Sequence, residues 1–83
     1  MEYVYILKSK KDNSKQYVGI TSDLKRRLNQ HNNARSNHYT YKYAPWEIET
    51  YIAFRSKNLA KEFEAYLKSH SGRAFLRRRL IVE

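Results

Sequence analysis

Eighty-three residues make one small domain, and no change of composition divides them, so residues 1–83 are expected to form a single domain around one core. With 41% hydrophobic residues the chain is too apolar for disorder, and without cysteine it has neither disulfides nor thiolate-bound zinc, which leaves oxygen and imidazole ligands for any metal. A net charge of +9 attracts polyanions, nucleic acid first, while the longest apolar run, Tyr3 to Leu7, is far too short for a membrane span; with no signal-peptide pattern, a cytoplasmic protein with no membrane role is expected.

Residues 2–8 are rich in aromatic and β-branched types and predict a strand. Asp12-Asn13-Ser14 carries turn chemistry, and residues 16–21 predict a second strand that pairs with the first as an antiparallel hairpin. Ser22 or Asp23 can cap a helix that runs to about Asn33, with Leu24 and Leu28 at helical spacing. From Asn33 to Pro45 the periodicity is lost, and Tyr39, Tyr41 and Tyr43 alternate with polar residues in a loop or a ragged helical turn. Residues 46–54 alternate, placing Trp46, Ile48, Ile52 and Phe54 on one side of a third strand and Glu47, Glu49 and Tyr51 on the other. Ser56 then caps a second helix whose buried stripe is Leu59, Phe63 and Tyr66/Leu67, with Gly72 as its left-handed stop. A short basic helix from Arg73 to Val82 closes the chain. The order β-β-α-β-α-α predicts an α+β fold, a three-stranded antiparallel sheet flanked by helices.

Tyr3-Val4-Tyr5 and Tyr17-Val18-Gly19 stand eleven residues apart, counted between Tyr5 and Tyr17. Arg27 follows Tyr17 by ten residues, His31 follows on the same helix, and Ala60 precedes Glu64 by four in the second long helix. In order and spacing these residues resemble the GIY-YIG nuclease family, whose members include the N-terminal incision domain of the bacterial excision-repair nuclease and the catalytic domains of phage homing endonucleases. This chain most resembles the small bacterial type that consists of the bare domain. Three departures stand out: Tyr3 replaces the first glycine of the family name, Ile20 occupies a position where some members carry lysine, and the asparagine that some members use near the C-terminus is not evident among Arg77, Arg78 and Arg79.

The resemblance implies a metal-dependent endonuclease in which Tyr5, Tyr17, Arg27, His31 and Glu64 are catalytic and Glu64 holds one Mg²⁺ or Mn²⁺. Phosphodiester hydrolysis needs a base for water, positive charge for the phosphate oxygens, and neutralisation of the leaving oxyanion. Either tyrosine can serve as base if a cation assists it, since a free phenol has a pKa of about 10. Arg27 and His31, four apart, share a helix face on which they can meet a phosphate, with His31 as base or orienting group; a plain Asp23–Arg27 ion pair with a surface histidine is the structural alternative. One carboxylate with several waters is an ordinary way to hold magnesium, which points to a single-metal site.

Arg26, Lys42, Lys68, Arg73, Arg77 and Arg78 are expected to contact nucleic acid, DNA in preference to RNA, and the tyrosines at 39, 41 and 43 are candidates for stacking on bases. His38 and His70 have no matched role. A protein partner is a possible source of specificity, because phosphate contacts do not read sequence. The competing readings are a non-catalytic nucleic-acid-binding module on the same scaffold and a subunit active only with a partner.

Overall fold

The computed structural model describes residues 1–34 and 39–81; the expectations for His38 and Val82 lie outside them. Three strands, β1 (Glu2–Ser9), β2 (Gln16–Thr21) and β3 (Trp46–Phe54), form an antiparallel sheet in the order β2-β1-β3. Helix α1 (Leu24–Asn32) and the single turn α2 (Tyr39–Lys42) lie between β2 and β3, and α3 (Lys57–Leu67) and α4 (His70–Arg79) follow β3. The α+β architecture is the predicted one, and within the ragged stretch Tyr39–Lys42 form α2.

The sheet is covered on both faces, because β1 is central and apolar on both sides. Val4 and Ile6 pack with Ala60, Leu67 and Leu76 under α3 and α4, whereas Tyr5 and Leu7 pack with Trp46 beneath Leu24 and Leu28 of α1. Two clusters therefore replace the single expected core. Each fully buried aliphatic side chain contributes about 1.5–3 kcal/mol.

The expected facing of β3 fails at one point. Ile6 pairs with Thr50 but Leu7 pairs with Ile48, so Glu49 is an extra residue in β3. A bulge of this kind reverses the alternation along the strand. Trp46 and Ile48 consequently join the cluster under α1, while Ile52 and Phe54 lie on the α3 side opposite Val4 and Glu2.

Helix starts follow the capping residues. Asp23 accepts from the Arg26 amide at 3.1 Å and Ser56 from the Leu59 amide at 3.2 Å. The second long helix ends earlier than expected. It stops at Leu67 with Lys68 as cap, and Ser69 starts a new helix by accepting from the Gly72 amide at 3.1 Å. Gly72 thus lies inside α4, not at a left-handed stop, and no glycine has a positive φ. Its bare backbone permits the tight turn between the helices, since a Cβ there would lie 1.6 Å from the Tyr66 carbonyl oxygen. The buried stripe of α3 also differs from the expected one: Ala60 and Leu67 are buried, whereas Leu59 is 57% and Tyr66 41% exposed.

Candidate active site

Tyr5 leaves the central strand and crosses β2 above Gly19, its partner in the register. A Cβ on Gly19 would sit 2.3 Å from the Tyr5 hydroxyl oxygen, so the Tyr5 position requires glycine there. The phenol ends against α1. Its oxygen lies 2.8 Å from His31 Nε2 and accepts from Arg27 Nε at 3.3 Å. Because Arg27 has only donors, the Tyr5 hydrogen points to His31.

His31 is buried, with its pKa pushed down to about 4 by burial and by the neighbouring Arg27 charge. Near neutral pH the ring is therefore uncharged; it accepts at Nε2 and carries its proton on Nδ1. Burial also pushes the Tyr5 pKa up, against the opposing pull of Arg27. Arg27 is held by Tyr5, interacts with Tyr17 as well, and donates to Gln30 Oε1 at 3.0 Å. The simple ion pair to Asp23 is not how Arg27 is used, since the Asp23 carboxylate caps the Arg26 amide.

Two residues before Gly19 on β2, Tyr17 pairs with Leu7 and so shares the Tyr5 face. Its ring centroid lies 4.6 Å from that of His31 and 6.3 Å from that of Tyr5. The two tyrosines differ in access. Tyr5 is 2% exposed, whereas Tyr17, Arg27 and His31 line a cleft of about 590 Å³ that Tyr39 also lines.

Glu64 comes from α3, which packs on the opposite face. Its side chain is 22% exposed and pairs with Lys68 Nζ at 3.4 Å. Its negative charge reaches Tyr5 and disfavours the phenolate there. Lys61 lies in a second cleft that Arg27 also lines, and Lys68 in a third that Tyr17 also lines, so Glu64 stands on α3 between two neighbours that both border the site. The five expected catalytic residues are thus gathered around one edge of the sheet. Among the described residues no three His, Cys, Asp or Glu side chains cluster as a metal cage.

The expected nucleic-acid contacts are placed as follows. Arg26 lines the cleft beyond Arg27, and Lys68, Arg73 and Arg77 line the one beyond Tyr17. Lys42 lies over the Tyr43 ring, its ammonium 5.5 Å from the centroid. Arg78 is exposed on α4 but lines neither cleft. His70 is exposed at the first turn of α4. Tyr39, a stacking candidate in the sequence, borders the cleft; Lys15 carries no expected role there, and the spacing role of Gly19 is not legible in its motif, although a glycine inside a strand is itself a sign of close approach.

Fold and site define a small α+β domain with a tyrosine–arginine–histidine centre at a sheet edge and a carboxylate beside it. The chain belongs to the GIY-YIG family: the family model described as GIY-YIG catalytic domain matches residues 1–78. It is 37% identical over 68 residues to the UPF0213 protein CPE1444 of Clostridium perfringens, covering 82% of this chain and 71% of that one. It is 36% identical over 74 residues to the UPF0213 protein SAG0778 of Streptococcus agalactiae, covering 89% and 82%. The solution NMR structure of the UPF0213 protein BH0048 from Bacillus halodurans superposes with a TM-score of 0.55 at 32% identity, covering 94% of this chain and 84% of that one. Membership is in a family of nuclease domains, for which nucleic acid is the partner. Among the described residues no helix is long and apolar enough to cross a membrane.

Proposed function

We propose that this chain is a metal-dependent endonuclease that hydrolyses phosphodiester bonds in nucleic acid, with DNA its expected substrate. The observation that carries this reading is the arrangement of Arg27 against both tyrosines, with neutral His31 fixed by Tyr5 and Glu64 alongside. A solvated binding surface has no use for a guanidinium locked onto buried phenol oxygen.

Exposure divides the roles of the tyrosines. Tyr5 is covered, and its oxygen is already engaged by Arg27 and His31, so it positions those two groups. Tyr17 faces the cleft and, having given its own proton to solvent, takes one as the phenolate from the attacking water. The Arg27 guanidinium beside it supplies positive charge to the Tyr17 oxygen and then to the phosphate. With Nε2 occupied, His31 meets phosphate as a neutral donor through Nδ1, an orienting role and not that of a base. The new oxygen–phosphorus bond forms as the bond to the leaving oxygen breaks, and that oxygen takes a proton from solvent.

Glu64 suits a hard cation, since it is a partly sheltered carboxylate and its partner, Lys68, is on an exposed, displaceable side chain. Bound at Glu64, Mg²⁺ or Mn²⁺ would supply Lewis-acid stabilisation of the phosphate and of the leaving oxyanion. Keeping the ion at one carboxylate leaves its other positions for water and substrate.

The test is cleavage of single-stranded, duplex, nicked and branched DNA, and of RNA, with magnesium, manganese or chelator. Metal-dependent cutting is expected, reduced about 10²–10⁴-fold by Tyr17→Phe and abolished by Glu64→Gln, with binding in chelator retained. No cutting of any substrate with either metal would overturn the enzyme in favour of a binding module.

A further inference from the structure

Tyr17 and Tyr39 line two clefts at once. One is the catalytic cleft; the other, of about 510 Å³, opens on the far side of these rings along the start of β2 and is lined by Lys15, Lys68, Arg73 and Arg77. Among the described residues no carboxylate lines it, and of its four cations Lys68 pairs with Glu64 just outside. On the other side of Arg27 the next cleft is mixed, with Glu2 and Asp23 interspersed among Arg26, Lys57 and Lys61. Positive potential is therefore concentrated on one side of the reaction centre.

We infer that the four-cation cleft holds backbone phosphates of an unpaired strand flanking the scissile bond, with Tyr39 stacking on a base between this subsite and the catalytic cleft. This deepens the endonuclease reading and rests on it for what happens at Tyr17. The exposed ring of Tyr39 argues for a single strand, because stacking on it needs an unpaired base, and a base in a duplex must first be unstacked. Tyr39 suits a stacking platform. It is 46% exposed yet backed by Trp46 at 5.9 Å and Tyr43 at 5.1 Å between centroids, and its hydroxyl donates to the Gln16 carbonyl, so the ring is held while one side remains open. Lys15 and Lys42 both lie near Tyr43, which extends the cationic wall past the ring. Phosphate contacts on one side of the cut and a base platform that every nucleotide satisfies make a site selective for strand state and indifferent to sequence.

The experiment measures binding of a labelled oligothymidylate of about ten nucleotides and of a hairpin duplex with as many phosphates, by anisotropy in chelator across a salt series. The triple variant Lys15→Ala/Arg73→Ala/Arg77→Ala should lower the slope of log affinity against log salt for the single strand by about 2. A charge-matched control, Lys10→Ala/Lys25→Ala/Arg55→Ala, removes exposed cations outside the cleft and should leave that slope near wild type. Tyr39→Ala should weaken the oligothymidylate about tenfold and the duplex little, with Tyr39→Phe restoring the affinity. Near-UV circular dichroism and thermal unfolding confirm that each variant is folded. Equal slopes for the two triple variants, or equal losses on single strand and duplex for Tyr39→Ala, overturn the inference. If the wild type cuts DNA while the slopes coincide, the cleft assignment falls and the nuclease stands. If it never cuts while the slopes separate, the nuclease falls and the cleft stands.

Discussion

The two faces of β1 divide the work of the domain. On the α3 and α4 side, Val4 and Ile6 meet Ala60, Leu67 and Leu76, an aliphatic cluster that carries stability alone. On the α1 side the same strand sends out Tyr5, and the space above Gly19 is given to a phenol hydrogen-bonded to His31 and Arg27. One face is filled by shape; the other holds polar groups whose positions matter more than their contribution to stability. Adjacent residues of a strand can be given to separate tasks because alternation sends them to opposite layers.

The two glycines probe that division most sharply. Gly72→Ala would force a methyl group onto the Tyr66 carbonyl, backbone that cannot yield without separating α3 from α4, and should cost about 3 kcal/mol or more in chemical denaturation. Gly19→Ala would instead displace the Tyr5 ring. Cleavage should fall about 100-fold, since small misplacements of catalytic groups have effects of that order, while stability changes by no more than about 1–3 kcal/mol. If Gly19→Ala cut at the wild-type rate, the placement of Arg27 and His31 through Tyr5 would be wrong.

Acid should destabilise the α1 face selectively. The folded-state pKa of His31, about 4, lies below the unfolded value of about 6.5, so the unfolded chain binds the extra proton between them. Stability is fully present above about pH 6.5 and is lost as pH falls toward 4; the shift corresponds to about 3 kcal/mol, reduced to about 2 by the contact of the ring with the cleft. Unfolding free energies from pH 7.5 to 4 for wild type and His31→Gln would show this, and identical pH dependences would refute it.

The smallest effect belongs to the exposed part of the other face. Leu59→Ala should change stability by less than about 0.5 kcal/mol, although sequence periodicity placed Leu59 in the buried stripe. A loss of 2 kcal/mol or more, as expected for a buried leucine, would contradict the observed packing.

What was legible in the sequence follows from local rules. The strands at 2–9, 16–21 and 46–54, the caps Asp23 and Ser56, and the sharing of one face by Tyr5 and Tyr17 all depend on alternation, capping chemistry or hairpin pairing, which act over a few residues. The break at Ser69 was missed because Gly72 carries the same letter whether it ends one helix with a positive φ or permits close packing inside the next. The bulge at Glu49 was missed because a one-residue insertion leaves the sequence pattern intact and alters only the pairing. Gly19 was read as a letter of a motif, when its function is to leave space for a ring from the neighbouring strand.

The sequence by itself determined the family and the α+β order and named Tyr5, Tyr17, Arg27, His31 and Glu64 as candidates for the site, because each is tied to a fixed spacing along the chain. Only the tertiary structure decided that Tyr5 is covered while Tyr17 faces the cleft, that His31 is neutral, and that Lys15, Lys68, Arg73 and Arg77 border one cavity. Burial and proximity between distant segments are set by how the layers stack, and no local spacing encodes them.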